Sequence, residues 1–248
     1  MAEDAAIPAA TLIVVRDGAR GEPPLLMIVE RAAGMAFAGG ALVFPGGRID
    51  AADREMAGAL TDGAARIAAI RETIEETAIP VGLDPPPTPE LALKVQHQLR
   101  DGAPFASVLA RHGLKLNVGV MTPLAQWVPE FHARRRFDTL FLLARAPSGE
   151  WQPNPAEGEC AGAFWMSAAE VLERDRRGEA RLIFPTRRTL ERLAQHDSLD
   201  SMLADARAFP ITPITPWLEE QDGDRFITIP DGIGFPVTRE KLDGLWRG

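Results

Sequence analysis

Cysteine is almost missing from this chain. Cys160 is the only one in 248 residues, so no intrachain disulfide can form and a reducing compartment is expected. Basic residues are also in short supply. Twenty-seven Lys and Arg stand against 35 Asp and Glu, for a formal charge of −8 and a pI near 5.1. That balance argues against a broad basic surface for nucleic acid, and an anionic substrate would need local positive charge from a metal ion or a small arginine cluster. Nothing in the chain approaches the roughly 18 consecutive apolar residues that mark a bilayer span, so no membrane partner is expected. The opening "MAEDAAIPAATLIVVRDG" lacks the basic flank and long apolar stretch of a signal peptide, and the closing "LWRG" is not a peroxisomal address of the Ser-Lys-Leu kind. A cytoplasmic location is the resulting expectation. Internal repeats and low-complexity tracts are absent, and His97, His112, His132 and His196 lack metal-ligand spacing.

What is present is a core. Hydrophobic residues make up 46 % of the chain and charged residues 25 %, the balance of a globular protein with a sizeable interior. "ATLIVVRD" and "PLLMIVER" are β-branched apolar runs separated by the turn cluster "GARGEP" and predict two neighbouring strands. A short strand "ALVF" follows, ending at "PGG", which is expected to make a tight turn. From Thr61 to Thr77 the period changes: Ile67, Ile70 and Ile74 recur at helical spacing. Asp62 or Thr61 is the expected N-cap, and Pro80 bars continuation.

After the stiff connector "DPPPTPE", residues 90–113 predict two short helices, and residues 84–115 as a whole are read as a helical insertion. Strands are expected again at "MTPLAQWV", "FDTLFLLAR" and "CAGAFWM", then helices at "SAAEVLERDRRG", "PTRRTLERLAQH" and "LDSMLADARAF". Residues 210–248, rich in Pro and Gly, are expected to form an irregular extension with one short strand at "RFITI". The whole is a single α/β (α+β) domain, a mixed sheet between helices. Cys160 is expected as a small buried strand residue, and Trp127, Trp151 and Trp165 as core residues, with stacking on a base as the alternative.

The informative stretch is "AIRETIEETAI". Glu72, Glu75 and Glu76 stand at i, i+3 and i+4 and share one helix face. Like charges so placed repel, and on patterning alone they read as a solvated face. A divalent cation would reverse that balance, because carboxylates on a rigid element suit Mg²⁺ or Mn²⁺. The Pro-Gly-Gly segment ahead of the helix could add a main-chain oxygen.

These residues resemble the Nudix box, whose pattern is a glycine, five residues, a glutamate, seven residues, then Arg-Glu-apolar-x-Glu-Glu-x-Gly-apolar. Gly46–Gly47 and the run Arg71 to Ile79 carry the likeness. Thr73 and Ala78 depart from the pattern, and the interval from Gly47 to Arg71 is about ten residues too long. Gly63 occupies the place of the first glutamate counted back from Arg71, so Asp62 is expected to take its role. "VFPGGRIDAADREM", the lengthened box, "RRRFDTLFLLARAP" and "GEARLIFPTRRTL" further resemble the acyl-CoA diphosphatase (Nudix motif 19-like) branch.

The resemblance implies the Nudix fold and metal-dependent hydrolysis of a nucleoside-diphosphate-linked substrate. It implies Glu72, Arg71 and Glu75 as catalytic residues and Glu72, Glu76, Glu75 and the Gly47 carbonyl around Mg²⁺ or Mn²⁺. Glu159, or else Glu157, would supply a further acid, and Arg31, Arg134, Arg135 and Arg136 would bind substrate phosphate. CoA or acyl-CoA is the implied substrate, and a homodimer the implied assembly. ADP-ribose, a dinucleotide or a nucleoside triphosphate is the alternative, and a ligand-binding module without catalysis is another.

Overall fold

The computed structural model describes residues 6–35, 38–128 and 136–242. Strand β1 (Ile7–Arg16) explains the architecture. Its "LIVV" run is apolar on both faces because both faces are covered. Ala10, Leu12 and Val14 pack to one side, and Ile13 and Val15 to the other. β1 pairs antiparallel with β2 (Leu25–Arg31), as the turn between them predicts. Next come β3 (Leu42–Val43), β4 (Gly46–Arg48), helix α1 (Ala51–Ala57) and helix α2 (Gly63–Thr77).

A two-stranded ribbon, β5 (Leu83–Asp84) with β6 (Lys115–Leu116), brackets helices α3 (Pro89–Arg100) and α4 (Phe105–His112). Then follow β7 (Thr122–Trp127), β8 (Phe137–Arg145), β9 (Cys160–Ser167), α5 (Ala168–Arg176), α6 (Phe184–Leu193) and α7 (Leu199–Ala208). The main sheet runs β10-β7-β8-β1-β2-β3, where β10 is Pro213–Ile214; β4 joins through β1 and β9 through β2. β1 and β8 are parallel along their length, from Ile7↔Phe137 to Val15↔Arg145, and most other pairs are antiparallel, which makes the sheet mixed.

One sheet face is covered by α2, through Ile67, Ile70 and Ile74, together with α3 and α4. The other is covered by α5, α6 and α7, through Val171, Leu190, Leu193, Leu199 and Met202. Each such side chain contributes about 1.5–3 kcal/mol on burial. No helix among the described residues is long and apolar enough to cross a membrane.

Three expectations need correction. Gly46–Gly47 is a strand on β1, with Thr11↔Gly46 and Ala10↔Gly47 in register, not a tight turn. Asp62 precedes α2 in the left-handed region at φ 53° and makes no side-chain capping bond. The capping device lies earlier, at α1, where Asp50 N–H donates to Asp53 Oδ2 at 2.9 Å; α1 itself lacks the periodicity that reveals a helix. Lastly, the described part of the extension, up to residue 242, contains three paired strands. β11 (Trp217–Gln221), β12 (Asp224–Thr228) and β13 (Arg239–Lys241) form an antiparallel sheet, turned at Asp222-Gly223 with φ 54° and 83°. Asp-Gly is the pair that such a two-residue hairpin turn favours.

α2 ends at Ala78, which adopts φ 59° and donates its N–H to Ile74 O at 2.9 Å. Beyond it, the segment 152–159 covers the helix terminus: Asn154 N–H donates to Thr77 O at 2.8 Å and Ala156 N–H to Glu76 O at 3.1 Å. Gln96 of α3, fully buried, joins both elements. Its amide donates to Glu75 O at 3.0 Å and to Asn154 O at 2.8 Å, and accepts from Asn154 Nδ2 at 2.7 Å. Gln96→Ala leaves buried polar groups without partners and is expected to cost about 2–3 kcal/mol. Urea denaturation checks this: the midpoint should fall while the slope stays constant.

Candidate active site

Arg71 has the densest set of contacts on α2. Its Nε and Nη2 donate to Asp53 Oδ1 and Oδ2 at 3.1 and 2.8 Å, a bidentate pair from α1. Nη2 also donates to Arg48 O at 3.0 Å, while Nη1 reaches Glu72 Oε1 at 2.8 Å and Glu75 Oε2 at 3.2 Å. Burial opposes the guanidinium charge, but Asp53, Glu72 and Glu75 outweigh it and hold Arg71 above its ordinary pKa. Arg71 stands behind the acidic residues and orients them.

In front of them lies a cavity of about 360 Å³. Its lining is of two kinds: Glu72, Glu76, Glu159, Arg31, Arg48 and the Gly46–Gly47 backbone are polar, and Val43, Phe44, Trp127, Phe137, Phe141 and Ile183 are apolar. Glu76 accepts from Gly46 N–H at 3.1 Å and faces Arg31 Nη1 at 3.9 Å. The close strand explains both glycines. A Cβ at Gly47 would collide with the Glu72 carboxylate, and one at Gly46 with Ala10 O.

The carboxylates resist ionisation. Burial, then the neighbouring Glu72, pushes Glu76 up to about 8 and Glu75 up to about 7; Glu72 is raised as well, by burial first, against the pull of Arg71. Glu159 adds to the repulsion at Glu75 and Glu76. An all-oxygen donor set with uncompensated negative charge suits a hard divalent cation. Glu72 and Glu76, with Gly47 beside them, are the residues placed to hold one. Among the described residues, no group of three or more His, Cys, Asp or Glu is arranged as a finished metal cage; Glu75 is turned to Arg71.

The other candidates divide. Glu159 and Arg31 line the cavity, and Glu157 does not; its carbonyl accepts from Arg100 Nη2 at 2.7 Å. Arg136 lies where its carbonyl accepts from Ile7 N–H at 2.7 Å, directly before the cavity residue Phe137. Arg134 and Arg135 fall outside the described residues. Cys160 is buried, and burial beside Glu76 pushes its thiol up to about 12, so it is no thiolate nucleophile.

Sequence reasoning missed Asp53, only 1 % exposed. Counted forward from Gly47, five residues lead to Asp53, the box's acidic position. The extra ten residues therefore lie between Asp53 and Arg71, and the spacing failed only when counted backwards. The apolar lining was also unassigned, its residues having no motif.

Residues 6–186 match the NUDIX domain family. A NUDIX hydrolase from Alicyclobacillus acidocaldarius is similar in structure, with a TM-score of 0.69 and 29 % identity over 81 % of this chain and 96 % of that one. Looser similarity extends to the NUDIX domain of Shewanella oneidensis NrtR complexed with ADP ribose (TM-score 0.45, 16 % identity, 77 % and 88 % covered). It extends also to a MutT NUDIX hydrolase from Burkholderia pseudomallei (0.42, 18 %, 76 % and 98 %). No curated protein sequence matches. With the matched domain spanning most of its length, this chain belongs to the Nudix family. It is a pyrophosphohydrolase, acting on nucleoside-diphosphate-linked substrates.

Two outcomes are expected. Asp53→Asn weakens the buried pair with Arg71 and lowers stability by about 2–4 kcal/mol in chemical denaturation. In metal-free protein, the folded state retains protons on Glu75 and Glu76 that the unfolded chain releases near its ordinary carboxylate value. Stability from these groups is therefore full below about pH 4.5 and declines as pH rises towards about 8. Thermal melts in EDTA across that window should show the decline, and excess Mg²⁺ should offset it most at the alkaline end.

Proposed function

We propose that the enzyme hydrolyses the diphosphate of CoA or acyl-CoA, releasing 3′,5′-ADP and (acyl-)4′-phosphopantetheine. The observation that carries this reading is that one cavity is lined both by charged side chains and by apolar ones. A diphosphate fits the first with a cation, and the adjoining organic group fits the second. The "VFPGGRID" opening and the lengthened box agree with the same branch of the family.

Glu72 and Glu76, with the Gly47 main-chain oxygen, would hold Mg²⁺ or Mn²⁺, and Glu75 supports them through Arg71. A bound ion there supplies charge neutralisation of the diphosphate and a more acidic water. Arg31 flanks the diphosphate and Arg136 stands next to the cavity residue Phe137. Glu72 or Glu159 accepts the proton of the attacking water. The water oxygen bonds to one phosphorus, and the bridging oxygen leaves with the other phosphate. Most of the rate gain comes from positioning and charge stabilisation. The same reading places the enzyme in the cytoplasm and includes a homodimer, which sedimentation of the full chain decides.

A panel of CoA, acyl-CoA, ADP-ribose, a dinucleotide and a nucleoside triphosphate, each with Mg²⁺ and with Mn²⁺, tests the substrate. Release of 3′,5′-ADP from CoA is the expected result; turnover of ADP-ribose with no action on CoA overturns it. Glu76→Gln should lower kcat by about 100-fold or more. A wild type inert on the whole panel, with ligand bound equally by the variant, would make the protein a binding module instead.

A further inference from the structure

The match to the family ends at residue 186, yet the chain continues for a quarter of its length, and that continuation converges on one cavity residue. Trp127 is 1 % exposed and lines the pocket. Its backbone is held from outside by β10: Ile214 lies beside it in parallel register, and Val128 N–H donates to Ile214 O at 2.9 Å. Its ring is held by two others, both edge-on. Phe184 at the start of α6 lies 6.0 Å away between centroids and Phe235 of the extension 5.3 Å away.

Phe235 is fixed in turn. The Arg192 guanidinium lies 5.2 Å from its ring and an equal distance from that of Phe209, and it is tied to Asp205 at 2.7 Å and to Leu124 O at 3.2 Å. Glu240 of β13 closes the arrangement by accepting from Arg187 at 2.6 Å and from Arg188 at 2.9 Å. These two residues immediately follow the cavity residues Pro185 and Thr186.

Among the described residues, the buried Trp127 indole N–H has no hydrogen-bond partner, at a cost of about 1–3 kcal/mol. The ring is therefore held by packing alone, at the wall of the cavity.

We infer that the C-terminal extension is part of the substrate-binding machinery: through Phe235 and β10 it positions Trp127, and so determines how well the apolar lining of the cavity accepts the group attached to the diphosphate. The inference rests on the cavity being the substrate site, as proposed above, but not on CoA being the substrate. Phe235 and Glu240 are positioning residues, since neither lines the cavity.

The test is steady-state kinetics of full-length Phe235→Ala on whichever diphosphates of the panel the wild type hydrolyses. KM should rise about fivefold or more while kcat changes by less than about twofold, because the lost contact serves binding and not the acidic residues. The Mg²⁺-induced rise in melting temperature should match that of the wild type. If Phe235→Ala does not fold, Phe235→Leu and Glu240→Gln replace it, with the same split expected on a smaller scale. A folded variant with unchanged KM, or with kcat reduced and KM constant, overturns the inference. If the wild type turns over ADP-ribose and not CoA, the substrate assignment fails, and the KM comparison on ADP-ribose still decides the role of the extension.

Discussion

The guanidinium of Arg71, pinned by both oxygens of Asp53, is the contact on which the active site depends. Three glutamates on one face of a nearly enclosed helix would repel one another and push the helix out of the core. Arg71 lies among them, balances part of their charge and fixes Glu72 and Glu75 in direction. Asp53, itself tied to the start of α1, holds Arg71 in place. Removing one member of such a buried set leaves an uncompensated charge, which is why the set behaves as a unit.

That unit is supported from both sides of the sheet. Ile67, Ile70 and Ile74 anchor α2 against β1, and β4 lies close enough for a glycine backbone to meet Glu72 and Glu76. The start of α6, on the opposite face, adds Ile183, Pro185 and Thr186 to the lining, and the sheet adds Trp127, Phe137 and Phe141. The acidic residues and the apolar ones thus come from different elements that border one cavity. A chain with net charge −8 has no broad basic surface for its anionic substrate. On the proposed reading, Arg31, Arg48 and a cation held at the pocket would serve in its place.

Much of this was legible in the sequence, for identifiable reasons. The central strands announced themselves because burial on both faces demands continuous β-branched runs. The helix period of Ile67, Ile70 and Ile74 and the spacing of Glu72 and Glu76 are local patterns that survive any change elsewhere in the chain. Asp53 was not legible by counting back from Arg71, since ten extra residues are taken up by the end of α1, a short turn and the start of α2 while the contact itself is preserved. α1 is too short to show a period. The extension misled because Pro and Gly suggest irregularity, although its Asp222-Gly223 pair was a usable hairpin signal. The role of Trp127 could not be read from composition at all, because being core and lining a cavity demand the same residue type.

The exit of α2 carries one more consequence. An alanine in the left-handed region costs about 1–2 kcal/mol, and nothing local to Ala78 repays it. The three carbonyls just before it are occupied by the 152–156 segment and by Gln96. The helix end is therefore secured by distant chain, and release of that chain unties it. In hydrogen–deuterium exchange, the amides of Ala78, Asn154 and Ala156, bonded to carbonyls of this helix end, are expected to open together, so that uptake at one would report on how long the acidic face stays assembled.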